Sequence, residues 1–438
     1  MSLATGTNVT LEAALREAEE RFVAANPTSR RLHARAAEVM PGGNTRTVLF
    51  YDPFPLTLAR GEGCYVWDAD EHAYTDFLVE YTAGLYGHSN PVIQGAVEAA
   101  LSEGIVLGGP NLLEAGFAAA LCDRFPAVER IRFCNSGTEA NLFALSAARA
   151  ATGRQKVVAF KGGYHGGVLY FAGPNPLNAP FPIELADYND SEGATALIAA
   201  LGGDLAAVIV EPMLGSGGCI PAELEFLQAL RVATEKTGAL LIFDEVMTSR
   251  LAPGGLHGAL GLTPDLVTLG KYLGGGLTFG AFGGRADIMD RFDPRRADAW
   301  PHAGTFNNNV LTMAAGLAGL TQIYTPKTAV TLNKRGDKLR LRLNAAAAKL
   351  GLPVQVTGRG SMMCLHVAGG PVRRPGDVTM PKALRDLLHF DLLAAGQYIA
   401  RRGMINLSLP MTDSDLDGLV EAFAEMLETR RSLIEPTA

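Results

Sequence analysis

Asp265-Leu266-Val267-Thr268-Leu269-Gly270-Lys271-Tyr272-Leu273-Gly274-Gly275-Gly276 is the stretch from which the fold can be read. A short apolar run, too brief for a helix, ends at a lone lysine set among glycines. That pattern predicts a buried strand whose end delivers Lys271. Another such run lies upstream, Ala239-Leu240-Leu241-Ile242-Phe243, closed by the acid pair Asp244-Glu245 and then Val246. Further strands are predicted at Ile131–Cys134, Lys156–Phe160 and Leu205–Val210, with an Ala-rich helix over 138–151 and helices near 92–103, 222–236 and 308–323. Strands alternating with helices predict a mostly parallel sheet covered on both faces.

The flanks read differently. Residues 9–38 are rich in Ala, Glu, Arg and Leu and predict one or two helices ended near Pro41-Gly42-Gly43. From Val48 to Phe77, short extended runs separated by turns predict a small antiparallel sheet. The last segment returns to amphipathic helices (333–350, 383–395, 414–434), with strands near 354–356 and 362–367. The expected organisation is an N-terminal segment 1–80, a large body 81–327, and a C-terminal segment 328–438 that joins the first in a smaller α+β domain. A chain of 438 residues exceeds what one core usually organises.

Composition narrows the function. Charged residues are 19%, hydrophobic residues 48%, and the net charge is -7 with no basic block, so nucleic acid is not an expected partner. Five widely spaced cysteines with no CxxC pair point away from disulfides and from a structural metal site, and towards thiols in a reducing cytoplasm. Met1–Leu11 lacks a signal-peptide pattern, and the apolar runs are too short to span a membrane.

Four pieces carry candidate chemistry, each beyond a strand where parallel sheets bind ligands. Asn135-Ser136-Gly137-Thr138-Glu139-Ala140-Asn141 opens a helix; it reads as a phosphate-binding turn or as an ordinary capping box. Asp244 at a strand end is suited to holding a pyridine nitrogen protonated, or to a cap or a metal. Lys271 is of the type that forms imines with carbonyls when its pKa is lowered; its glycines match neither GxGxxG nor GxxxxGK[ST]. Gly162-Gly163-Tyr164-His165-Gly166 offers an aromatic to stack on a flat ring, while His165 alone reads as structural.

In this order and spacing, with Lys271 27 positions after Asp244, the pieces closely resemble the class III (fold type I) pyridoxal-phosphate (PLP) aminotransferases. The resemblance implies that Ser136, Gly137 and Thr138 bind the cofactor phosphate and that Tyr164 lies over its ring, with Val246 on the other face. It implies that Asp244 pairs with the pyridine nitrogen and that Lys271 forms the Schiff base and carries protons. Ala303-Gly304-Thr305-Phe306 matches the segment whose threonine reaches the neighbouring subunit's phosphate, which implies a homodimer. No metal is implied.

Within the class, the chain resembles the branch holding glutamate-1-semialdehyde aminomutases and aromatic β-amino acid (β-phenylalanine) aminotransferases. Gly215-Ser216 stands where the aminomutases carry an asparagine, and Pro41–Tyr51 is more similar to the β-amino acid enzymes. There Arg46 is expected to reach the substrate, as is Arg402, with Arg401 adjacent; Met404-Ile405-Asn406 departs from the more apolar β-phenylalanine version. Coming from opposite ends of the chain, the arginines are expected in different pockets. Val48–Tyr51, Tyr81 and Tyr86 are expected to offer apolar surface for a ring. The expected activity moves the amino group of a small-molecule donor, a β-amino acid, to a keto acid (2-oxoglutarate or pyruvate). The alternatives are an aminomutase, an amine:pyruvate transaminase, and a PLP racemase or decarboxylase sharing the Lys–Asp core.

Overall fold

The computed structural model describes residues 10–435; the start of the stretch read for a leader, through Val9, lies outside the described residues. A seven-stranded sheet runs in the order Arg130–Cys134, Gly280–Gly284, Leu266–Gly270, Leu240–Asp244, Leu205–Val210, Lys156–Phe160, Ile183–Ala186. Every neighbouring pair from Leu266–Gly270 to Ile183–Ala186 is parallel. Gly280–Gly284 is antiparallel to both its neighbours, so Arg130–Cys134 points the same way as the rest. Leu205–Val210, Leu240–Asp244 and Leu266–Gly270 are buried along their whole length, as continuous apolar runs of a two-sided sheet should be.

The antiparallel strand, Gly280-Ala-Phe-Gly-Gly, is not legible as a strand because glycine is a poor strand former. Here the neighbours leave no room for anything larger. A carbon at the Cβ position of Gly283 would lie 2.5 Å from the Arg130 carbonyl oxygen, and at Gly280 2.1 Å from that of Ser136.

The two ends of the chain meet. The antiparallel strands Leu58–Glu62, Tyr65–Asp68 and Ala73–Asp76 gain a fourth, parallel partner, Gln397–Tyr398, from near the C-terminus. Helix Leu11–Ala25 packs on helix Lys382–Ala394, and Phe22, Tyr51, Phe54 and Phe390 share one core with ring centroids 5.0–6.1 Å apart. Burying rings of this size contributes about 1.5–3 kcal/mol each. A three-stranded antiparallel sheet, Val354–Arg359, Met362–Val367 and Met404–Asn406, lies between this unit and the large sheet. Among the described residues no helix is long and apolar enough to cross a membrane, and no cluster of three or more His, Cys, Asp or Glu could hold a metal.

Candidate active site

Strand Arg130–Cys134 runs into the turn Asn135-Ser136, which opens helix Gly137–Thr152. Ser136 Oγ accepts from the Glu139 N–H at 3.2 Å, and the Glu139 carboxylate accepts from the Asn135 N–H at 2.9 Å. The turn is therefore a genuine cap. It also leaves the N–H groups of Gly137 and Thr138 without intrahelical acceptors, so the capping and anion-binding readings coincide. Glycine is needed at 137 for close approach: a carbon at its Cβ position would lie 2.8 and 2.9 Å from the two methyls of Val246. At Gly166, with φ +126, the same carbon would be 2.4 Å from Thr138 Oγ1. Two further loops thus converge on this turn.

Asp244, only 4% exposed, ends its strand inside a network. Asn141 Nδ2 donates to Asp244 Oδ2 at 2.7 Å, His165 Nδ1 lies 2.8 Å from the same oxygen, and the Val246 N–H donates to Oδ1 at 3.0 Å. Asn141 is itself fixed, accepting from Thr268 Oγ1 at 2.7 Å and donating to the His165 carbonyl at 3.0 Å. A buried carboxylate surrounded by donors suits a cationic ring nitrogen. Asn141 and His165 are the site residues that sequence reasoning missed. The signal for Asn141 was present, since it is the polar residue on an otherwise apolar buried face formed with Ala140, Ala144, Leu145, Ala147 and Ala148. Glu245, by contrast, is consumed structurally by the N–H groups of Leu256 and His257, at 2.7 Å each, and by His257 Nδ1 at 2.6 Å.

Lys271 directly follows strand Leu266–Gly270 with φ +55, a left-handed conformation that costs a non-glycine residue on the order of 1–3 kcal/mol. Burial lowers its pKa to about 8; nearby Arg46 and Arg402 act in the same direction, and Glu80 and Asp244 against it. A lysine partly neutral near physiological pH is a competent nucleophile and base. Of the glycines after it, Gly274 and Gly275 allow close packing, while nothing lies within 4 Å of the Cβ position of Gly276. A carbon at the Cβ position of Gly275 would sit 2.6 Å from the Ala315 backbone, and one at Gly274 2.6 Å from Phe279 Cβ.

Facing Lys271 is an unusual turn. Val79, Glu80, Tyr81 and Thr82 all have positive φ (51, 44, 51 and 83). Four consecutive non-glycine residues in this region, two of them β-branched, must be held by their surroundings. Asp76 Oδ1 accepts from the Val79 N–H at 2.9 Å, Asn406 Nδ2 donates to the Leu78 carbonyl at 3.0 Å, and buried Arg250 donates to the carbonyls of Thr82 and Leu407. The turn presents Tyr81 to both arginines: the guanidinium carbon of Arg402 lies 4.7 Å, and that of Arg46 5.7 Å, from its ring centroid. Arg46 is paired with the Glu80 carboxylate, and Arg402 Nη1 donates to Ser216 Oγ at 3.0 Å.

The two arginines, from opposite ends of the chain, thus lie against one ring while keeping different polar partners. Arg401 points elsewhere, its Nε 3.1 Å from Asp386 Oδ1. Tyr86 and Tyr51 are also not pocket residues. Tyr86 is buried against Tyr272 in the main core, and Tyr51 in the core of the chain's two ends.

Tyr164, 40% exposed, stands on the loop after Lys156–Phe160, its ring edge-on to Tyr170 at 5.5 Å. Its N–H donates to buried Glu211 Oε1 at 2.9 Å, and Glu211 Oε2 accepts from the Gly215 N–H at 2.8 Å. One carboxylate thus ties the Tyr164 loop to the loop carrying Ser216. Burial raises the Glu211 pKa to about 7, with His165 opposing and Asp244 adding to the rise. Thr305 lies apart on an exposed loop with Phe306, which is 60% exposed, beside residues 105–110. No hydrogen bond joins Thr305 to the 136–138 turn of its own chain among the described residues.

These donors fit pyridoxal phosphate: helix-start N–H groups for its phosphate, a buried carboxylate for its ring nitrogen, and a lysine of lowered pKa for its carbonyl. Comparison with known proteins agrees. Residues 50–370 match the model of the family described as aminotransferase class-III. The chain is 54% identical to a β-phenylalanine transaminase of Variovorax paradoxus, over 98% of this chain and 99% of that protein. It superposes on the crystal structure of a β-phenylalanine aminotransferase from the same organism with a TM-score of 0.96, at 54% identity, covering 97% of this chain and 99% of that one. A glutamate-1-semialdehyde 2,1-aminomutase of Desulforudis audaxviator is 37% identical over 91% of this chain and 96% of its own.

Proposed function

The chain belongs to the class III aminotransferases, and from that premise we propose that its donor is a β-amino acid with an aromatic or other apolar group on the amine carbon. It is a PLP-dependent aminotransferase of fold type I, acting on small-molecule amino donors and keto acids. When bound, the cofactor supplies a carbonyl that exchanges amines and a ring that accepts electrons.

The chain's own residues do the rest. Lys271 Nζ would take the proton from the donor's amine-bearing carbon and deliver it to the cofactor's former carbonyl carbon, so that the amino group stays behind when the keto product leaves. Asp244, oriented by Asn141 and His165, keeps the ring nitrogen protonated. Ser136, Gly137 and Thr138 hold the phosphate, Tyr164 covers one ring face, and Val246 covers the other. Arg46 and Arg402 take carboxylates, and Leu49, packed with Tyr81, Met213 and Met247, offers the apolar wall. 2-Oxoglutarate or pyruvate serves as acceptor.

The active unit is a homodimer in which Thr305 completes the phosphate site of the neighbouring subunit. Exposed Val106, Leu107 and Phe306 beside Thr305 support an apolar contact there. The described parts of segments 1–80 and 328–438 form one small domain over 81–327. Five free thiols support residence in the reducing cytoplasm.

The observation that carries the substrate reading is the pair of guanidiniums on Tyr81 beside Lys271. A charge-assisted arginine–carboxylate contact contributes about 2–3 kcal/mol, roughly 30- to 150-fold in kcat/KM. The test is turnover of β-phenylalanine and of 1-phenylethylamine, with keto acid consumption, in wild type, Arg46→Ala and Arg402→Ala. At least one substitution should lower the β-phenylalanine to 1-phenylethylamine ratio by that factor, with one keto acid consumed per ketone released. An unchanged ratio overturns the reading. Preferred turnover of 1-phenylethylamine by wild type supports an amine:pyruvate transaminase instead, and turnover without keto acid supports an aminomutase.

A further inference from the structure

Arg46 is not free. The Glu80 carboxylate is paired with it, and both side chains are about half exposed, so a ligand reaches the pair without unburying anything. Glu80 sits on the left-handed turn 79–82, a backbone that the carboxylates, amides and guanidinium around it hold in place. Of the charged groups acting on Lys271, Glu80 contributes most, ahead of Arg46, Arg402 and Asp244. One anionic side chain is therefore paired with the arginine that meets carboxylates and also acts on the lysine that moves the proton. A β-amino acid docking there brings a carboxylate of its own.

We propose that Glu80 is a specificity-determining residue: an internal carboxylate that occupies Arg46 until a substrate carboxylate replaces it. This rests on the reading that Arg46 receives the donor's carboxylate, and it explains the strained turn. A relaxed turn would carry residue 80 elsewhere, whereas this one aims it at Arg46 and places the following ring, Tyr81, under the same guanidinium. The consequence is selective. A carboxylate-bearing ligand competes with Glu80 for Arg46, whereas a carboxylate-free amine leaves the Arg46–Glu80 pair intact. An exposed ion pair of this kind corresponds to about a two- to fivefold shift in affinity.

The probe is 3-phenylpropionate, which has the carboxylate and the ring but no amine and so cannot react. Its inhibition constant is measured in the holoenzyme for wild type, Glu80→Gln, Arg46→Ala and the double variant, alongside KM for β-phenylalanine and for 1-phenylethylamine. Glu80→Gln should tighten 3-phenylpropionate and lower the β-phenylalanine KM by about two- to fivefold, while the 1-phenylethylamine KM does not fall. The double variant should bind 3-phenylpropionate like Arg46→Ala alone. If Glu80→Gln leaves 3-phenylpropionate binding unchanged or weaker while Arg46→Ala weakens it, the Glu80 proposal fails and the Arg46 reading stands. If Arg46→Ala has no effect, the Arg46 reading itself fails. A purely structural role would move both donors together, which also overturns the proposal. Should Glu80→Gln lower the unfolding midpoint, Glu80→Asn gives the same readout, because asparagine tolerates left-handed backbone.

Discussion

Gly137→Ala adds one methyl at the point where three loops meet, and its effect can be worked out from the contacts. The new carbon would lie 2.8 Å from Val246 Cγ1 and 2.9 Å from Cγ2, closer than carbon atoms pack. Valine is stiff at χ1, and turning it exchanges one methyl for the other, so the side chain cannot step aside. The helix start must therefore move away from Val246, carrying with it the N–H groups of Gly137 and Thr138.

Overpacking of this kind costs about 1–3 kcal/mol, and the better helix propensity of alanine offsets up to about 1 kcal/mol. Unfolding midpoints should thus change little. Phosphate affinity should change much more: losing the equivalent of one charge-assisted hydrogen bond, about 1.5–3 kcal/mol, weakens PLP binding roughly 10- to 100-fold. The assay is titration of cofactor-free protein with PLP for Gly137→Ala, Val246→Ala and the double variant. The clash requires a coupling of at least about 1 kcal/mol in the double-mutant cycle, with the added methyl costing far less once Val246 is trimmed. Additive effects, or wild-type affinity in Gly137→Ala, would refute the reasoning.

Two further outcomes follow from buried charges. Arg250→Met should lower stability by about 2–4 kcal/mol, read in urea unfolding, because the carbonyls of Thr82 and Leu407 and the Ser361 hydroxyl lose their donor in a buried site; Arg250→Lys should recover only part of this. For Glu211, the folded pKa of about 7 lies above the ordinary carboxylate value of 4.5, so the native state binds more protons than the unfolded chain between those values. Its contribution to stability therefore falls as pH rises through that window, by up to about 1.4 kcal/mol per pH unit. Glu211→Gln should show a flatter dependence of the unfolding midpoint between pH 4.5 and 7 than wild type, and an equal slope would contradict this.

What the sequence made legible is what lies on a single strand and the turn after it. Asp244, Lys271 and the Ser136 turn each follow an apolar run, and a parallel sheet gathers such ends on one edge without further information. Asn141 and His165 were harder because their meaning comes from partners 103 and 79 positions away. The 79–82 turn has no local signature, since Val, Glu, Tyr and Thr do not favour positive φ and only Asp76, Asn406 and Arg250 impose it. Gly280–Gly284 was hidden for the opposite reason, its composition answering to the closeness of Arg130 and Ser136 and not to strand propensity. The arginines were visible as residue types, but their sharing of Tyr81 depends on the two ends of the chain folding together.

The central claim is that Lys271 bonds the cofactor, and reduction with borohydride tests it directly. Holoprotein saturated with PLP is reduced, digested and mapped by mass spectrometry, with Lys271→Ala treated in parallel. The account predicts a single phosphopyridoxyl-lysine at Lys271 in the wild type and none in Lys271→Ala; the label on a different lysine, or its persistence in Lys271→Ala, would contradict it.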